Sequence, residues 1–127
     1  MQTARVLVVE DQGYLRDIIV DTLDEFGYPA VGIADPHEAL AQAASVRPEL
    51  IVLDMWMPAM NGRVFIDRLR DDPRFADVPV LVVSGDRNVA FEGTGYPRVD
   101  FLIKPFDASL LVDRTRAFIG PPLRASS

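Results

Sequence analysis

Hydrophobic residues gather in five short runs: "RVLVV" (5–9), "AVGIA" (30–34), "LIVL" (50–53), "VPVLVV" (78–83) and "VDFLI" (99–103). They are rich in Val, Ile and Leu with little polar alternation, which predicts strands buried on both faces. The stretches between them carry helical spacing. Leu15, Ile18, Ile19, Thr22 and Phe26 fall at i, i+3, i+4, i+7 and i+11 and predict one apolar helix face. A second helix opens at "DPHEAL", with Asp35 as N-cap, Pro36 at the first helical position and Glu38 at the third. Phe65, Ile66 and Leu69 mark a third helix, and a last one starts at Asp107 and buries Leu111, Val112, Phe118 and Ile119. Strand and helix alternate, and right-handed βα crossovers then favour a doubly wound α/β domain, a five-stranded parallel sheet with helices on both faces.

Two stretches depart from that alternation. Between the fourth and fifth runs, "GDRNVAFEGTGYPRV" (85–99) holds Gly93, Gly95 and Pro97, each costly inside a helix, so the spacing allows only a turn or two around Asn88 to Glu92. The ending "GPPLRASS" (120–127) is small, polar and proline-bearing and reads as a disordered tail behind a domain of residues 1–119.

Composition narrows the class. A chain of 127 residues fits one domain. It has no cysteine, so disulfides, thiolate metal sites and Cys nucleophiles are excluded. No apolar run approaches the roughly 18 residues that span a bilayer, and the N-terminus lacks a signal-like region, so a cytoplasmic location is the expectation, with no membrane partner. The net charge of −6, with basic residues scattered along the chain, argues against direct binding to nucleic acid.

The candidate chemistry lies just after the runs. In open parallel sheets, ligands bind outside the carboxyl ends of the strands. The first run is followed by Glu10 and Asp11, the third by Asp54, the fourth by Ser84, and the fifth by Lys104 and Pro105. Each alone has a plain reading: a cap, a turn residue, a solvated charge. Together they converge. Carboxylates on one rim repel one another unless a cation sits among them, and Mg²⁺ takes oxygen ligands, usually one or two carboxylates with waters and phosphate. A hydroxyl at Ser84 and a mobile charge at Lys104 complete a site equipped to stabilise a phosphoryl group in transfer, with Asp54 as the nucleophile.

The segments "VLVVED", "LIVLDMWMPAMNG", "VLVVSG" and "FLIKPF" resemble, in order and separation, the four signature segments of the receiver domain of two-component response regulators, and the resemblance covers residues 4 to 119. It implies a flavodoxin-like sheet of strand order 2-1-3-4-5. It implies that Asp54 accepts a phosphoryl group from a histidine kinase or a histidine phosphotransfer protein. Mg²⁺ would be bound by Glu10 directly or through water, by the side chains of Asp11 and Asp54, and by the backbone carbonyl of Trp56. Ser84 and Lys104 would contact the phosphoryl oxygens, and the Lys104–Pro105 peptide would be cis. Ser84 and Phe101 would form the switch that alters a surface read by a downstream protein. Phe101 stands where the family more often has Tyr, and the region 85–98 departs from the family's fourth helix. Trp56 is bulky enough to shield an acyl phosphate from water. The protein would then catalyse only its own phosphorylation and dephosphorylation.

Other classes fit the residues less well. A receiver-like interaction module that works without phosphate would have no use for the acids, Ser84 and Lys104 together. A phosphohydrolase would want an acid two residues after its nucleophile, where Trp56 stands, and a nucleotide-binding fold would want a Gly-rich turn that "EDQGYL" lacks. His37, the only histidine, reads as a surface residue, and Gly62 as a place of close approach. The organisation is that of a stand-alone regulator acting by contact or of a receiver cut from a longer kinase or regulator.

Overall fold

The computed structural model describes residues 4–86 and 97–123. Strand β1 (Val6–Val9) leads to helix α1 (Gly13–Glu25), and β2 (Ala30–Ile33) to α2 (Pro36–Val46). Strand β3 (Leu50–Asp54) runs through a small hairpin, β4 (Trp56–Met57) and β5 (Met60–Asn61), into α3 (Gly62–Asp71). A 3-10 turn (Pro73–Phe75), β6 (Val80–Ser84), β7 (Val99–Ile103) and α4 (Ala108–Ile119) complete the chain. One parallel sheet takes the order β2-β1-β3-β6-β7. With the hairpin strands set aside, that is the anticipated 2-1-3-4-5.

Successive strand side chains point to opposite faces, so each run feeds two cores. Leu7, Val9, Ile51, Leu53, Val80 and Val82 pack against Ala39 and Ala43 of α2 and Phe65, Ile66 and Leu69 of α3. Val6, Val8, Leu50, Val52, Leu81 and Val83 pack on the other face against Ile19 and Leu23 of α1 and Leu111 and Val112 of α4. Burying an aliphatic side chain contributes roughly 1.5–3 kcal/mol, which is why the central strands tolerate no polar alternation. The starts of α2, α3 and α4 are fixed by side chains: Asp35 accepts from the His37 N–H at 2.9 Å, Asn61 from Val64 at 3.0 Å, and Asp107 from Leu110 at 2.9 Å. At the opposite end of the sheet from the strand termini discussed below, Tyr28 donates its hydroxyl to the Gly120 carbonyl at 2.7 Å.

Two expectations are corrected. The apolar face assigned to α1 is rotated: its buried residues are Ile19 and Leu23, while Ile18 and Phe26 stay 43% and 46% exposed. The sheet lies beneath the stripe of Ile19 and Leu23, and Ile18, about 100° around the helix from Ile19, falls at its solvent edge, while Phe26 lies at the C-cap beyond the packed turns. The fourth strand of the sheet begins at Val80 rather than 78. Pro79 has no N–H to give a ladder, and the Val78 N–H is spent on Phe75 in the preceding turn. The β4–β5 hairpin and the 3-10 turn were not anticipated, since elements this short carry no periodicity. The expected turns between Asn88 and Glu92 lie outside the described residues, as do residues 124–127 of the expected tail.

Candidate functional site

Strands β1, β3, β6 and β7 run in parallel, so their C-terminal ends open on one rim. The register Val9↔Leu53 sets Glu10 level with Asp54 on the neighbouring strand. The pairing Ser84↔Ile103 sets Lys104 one step past Ser84, and the Lys104 N–H donates to the Ser84 carbonyl at 2.8 Å. Carboxylate oxygens of Glu10, Asp11 and Asp54 all lie within 4.8 Å of one another. The ammonium of Lys104 reaches over them, with Nζ 3.5 Å from Glu10 Oε1 and 3.5 Å from Asp54 Oδ1. Those lengths exceed the 2.7–2.9 Å typical of a strong charge-assisted bond, so the lysine acts as a shared point charge.

Burial divides the three acids. Glu10 is 1% exposed and Asp54 7%, whereas Asp11 faces solvent. The Glu10 carboxyl is pushed up to about 7, first by burial and then by the negative charge of Asp54; the Gln12 N–H and Lys104 oppose the rise. One lysine therefore does not supply enough positive charge for this rim. The residues fit a hard divalent cation: three carboxylates offer oxygen ligands at one point, and burial and the neighbouring Asp54 charge raise the pKa of the most buried of them.

The remaining expected site residues are distributed around this cluster. Ser84 is buried at the end of β6, where its Oγ accepts from the Asp86 N–H at 3.0 Å. The Trp56 N–H faces Asp54 Oδ1 at 3.4 Å, while the indole is 55% exposed. Phe101 is half-buried against the core beneath α2 and α3. The Lys104–Pro105 peptide is cis, and His37 is exposed. Behind Asp54, the Gly62 N–H donates to the Met55 carbonyl at 2.8 Å, and a Cβ on Gly62 would come within 2.5 Å of the Met55 sulfur. Close approach is thus what the glycine provides.

Two neighbours of the site were not singled out from sequence. Gln12 holds Glu10 Oε2 through its N–H at 3.2 Å, and Arg16 donates from Nη1 to the Glu10 carbonyl at 2.9 Å. The first is a backbone contact that any residue can make. The second had a signal, a glycine at position 32 inside an apolar strand, because such a glycine marks the close passage of another group.

A model of the response regulator receiver domain matches residues 6–116. A DNA-binding dual master transcriptional regulator of Synechocystis is 32% identical over 117 residues, which are 91% of this chain and 48% of that protein. The phosphate regulon transcriptional regulatory protein of Escherichia coli is 31% identical over 115 residues, 89% of this chain and 50% of that protein. Among solved structures, a chemotaxis response regulator of Vibrio cholerae superimposes with a TM-score of 0.84 at 29% identity, covering 93% of this chain and 100% of that one. The chain spans about half the length of these two transcriptional regulators. Among the described residues, no helix is long and apolar enough to cross a membrane.

Proposed function

Because the chain belongs to the response regulator receiver domain family, we propose that Asp54 accepts a phosphoryl group from a phosphohistidine of a histidine kinase or a histidine phosphotransfer protein. An Asp54 carboxylate oxygen attacks phosphorus as the P–N bond breaks; the imidazole leaves with the electron pair and takes up a proton, and Asp54 becomes an aspartyl phosphate. Glu10, Asp11, Asp54 and the Trp56 backbone carbonyl would hold Mg²⁺, which supplies neutralisation of phosphoryl charge when bound. Lys104 moves from its shared position between Glu10 and Asp54 to pair with a phosphoryl oxygen, and the Ser84 hydroxyl donates to another.

Phosphorylation adds nearly two negative charges at Asp54. Drawing Ser84 toward them releases its Oγ from the Asp86 N–H, and Phe101 re-packs against the core it already touches. The altered surface is read by a downstream protein. The reading places the domain in the cytoplasm, away from direct contact with nucleic acid or membrane, and it turns over no substrate but its own phosphoryl group.

The observation that carries this reading is Lys104 standing 3.5 Å from two carboxylates that themselves share a cation-sized space. Incubation with acetyl phosphate, followed by intact mass measurement, tests it. Label is expected on the wild type only with Mg²⁺ and not on Asp54→Asn. Label surviving in Asp54→Asn would displace the assignment, and no label on the wild type from acetyl phosphate or any kinase would leave a phosphate-independent interaction module in its place.

A further inference from the structure

The geometry points to Arg16 as a positioning residue that holds the acidic turn after β1 in shape for its cation, with Gly32 on β2 as the seat for its stem. The inference rests on the metal reading above. Both backbone polar groups of Glu10 are held from outside the turn. Its N–H donates to the Ile33 carbonyl at 3.2 Å, and its carbonyl accepts from Arg16 Nη1 at 2.9 Å. The Arg16 N–H in turn donates to the Gln12 carbonyl at 2.9 Å, so one residue grips the turn at both ends. With the peptide groups on either side of Glu10 fixed, the directions of the Glu10 and Asp11 side chains follow. This matters most for Asp11, whose exposed carboxylate gains no direction from packing.

The seat is specific. A Cβ at Gly32 would lie 2.8 Å from Arg16 Cγ, 2.9 Å from Cδ and 3.2 Å from Val20 Cγ2. These are mid-stem atoms of the arginine, so the side chain would have to leave its path over β2. Glycine inside a strand costs stability relative to a branched residue. Here it opens a channel through which the guanidinium reaches the Glu10 carbonyl.

Charge and position predict opposite signs for the loss of Arg16. A guanidinium beside a cation site repels the cation, so removing it should tighten binding if charge alone mattered. If the arginine positions the turn, removing it weakens binding. Outer contacts of this kind typically change metal affinity by about 10- to 100-fold.

The test is a Mg²⁺ titration of the full chain, read by calorimetry and by the fluorescence of Trp56, the only tryptophan. It compares the wild type with Arg16→Met and Gly32→Ala well below their melting temperatures. Both variants are expected to bind Mg²⁺ roughly tenfold more weakly, Gly32→Ala doing so with the positive charge retained. Equal or tighter binding by Arg16→Met overturns the inference. So does a lowered melting temperature with an unchanged Kd, the mark of a purely structural role. Should Arg16→Met fail to fold, Gly32→Ala and Arg16→Lys decide: weakening in Gly32→Ala supports the inference and wild-type affinity in both sinks it. A wild type that binds no Mg²⁺ removes the metal reading itself, a separate outcome.

Discussion

Replacing Glu10 with glutamine should remove most of the pH dependence of stability that this rim creates in the absence of metal. Glu10 is raised from its ordinary 4.5 to about 7 in the folded protein, by burial first and by Asp54 second. A carboxyl with a raised folded pKa binds more protons folded than unfolded between those limits. Stability therefore falls as pH climbs from about 4.5 to about 7 and levels off above. At about 1.36 kcal/mol per pH unit, that interval corresponds to roughly 3 kcal/mol. Solvent screening takes little from the figure, because Glu10 is only 1% exposed. Glutamine mimics the protonated acid in shape and at every pH, so Glu10→Gln and the wild type should be about equally stable near pH 4.5. Above pH 7.5 the variant should be the more stable by a few kcal/mol. Urea unfolding in the presence of a chelator, run at intervals from pH 4.5 to 8, measures the difference directly and cancels every contribution common to both proteins. Parallel stability curves would refute the argument. Adding Mg²⁺ should narrow the gap at high pH, since a ligand of the folded state at ten times its Kd adds about 1.4 kcal/mol, and the variant has lost a carboxylate to bind it.

Two further outcomes follow from the turn behind Asp54. Gly62→Ala forces a Cβ to 2.5 Å from the Met55 sulfur and 3.2 Å from the Met55 Cα; overpacking of this kind costs about 1–3 kcal/mol, visible as a lower urea midpoint, and an unchanged midpoint would show that the turn yields freely. Trp56→Ala removes a 55% exposed indole two residues from Asp54, the proposed phosphoacceptor, and should shorten the aspartyl phosphate lifetime several-fold, followed as loss of label after the donor is removed. An unaltered lifetime would mean that the ring shields nothing.

Much of this architecture was legible because Glu10, Asp54, Ser84 and Lys104 each stand directly behind an apolar run. Once "RVLVV" and "LIVL" are strands of one parallel sheet, Glu10 and Asp54 must end side by side, and the register Val9↔Leu53 bears that out. The same reasoning was weaker for α1. Ile18 and Ile19 are equally hydrophobic, and only the sheet beneath the helix decides that Ile19 is buried and Ile18 exposed. Contacts made through space by non-periodic residues stayed hidden. The grip of Arg16 on Glu10 leaves only the glycine at position 32 as its trace in the sequence, legible once β2 is laid beside β1. The long, even spacing of Lys104 from its two acids is likewise a property of packing alone.

That spacing explains why a lysine, rather than an arginine, suits the end of β7. Strand β6 lies between β7 and β3, and neighbouring strands sit about 4.8 Å apart, so roughly 10 Å separates the two backbones, a gap that the side chains of Lys104 and Asp54 close from both sides. A flexible four-carbon stem reaches into the gap and ends in a compact charge. A planar guanidinium in the same place would fork onto the two carboxylates in a bidentate pair and be costly to displace. Lys104 instead stands 3.5 Å from Glu10 and from Asp54 and is bound tightly to neither. It lowers the cost of holding both acids without abolishing it, as the raised Glu10 carboxyl records. On the proposed reading, an arriving phosphoryl group offers the ammonium nearer and more strongly charged oxygens, and no tight pair has to break first. The incomplete neutralisation of the resting site is thus the same property that leaves its cation ready to move.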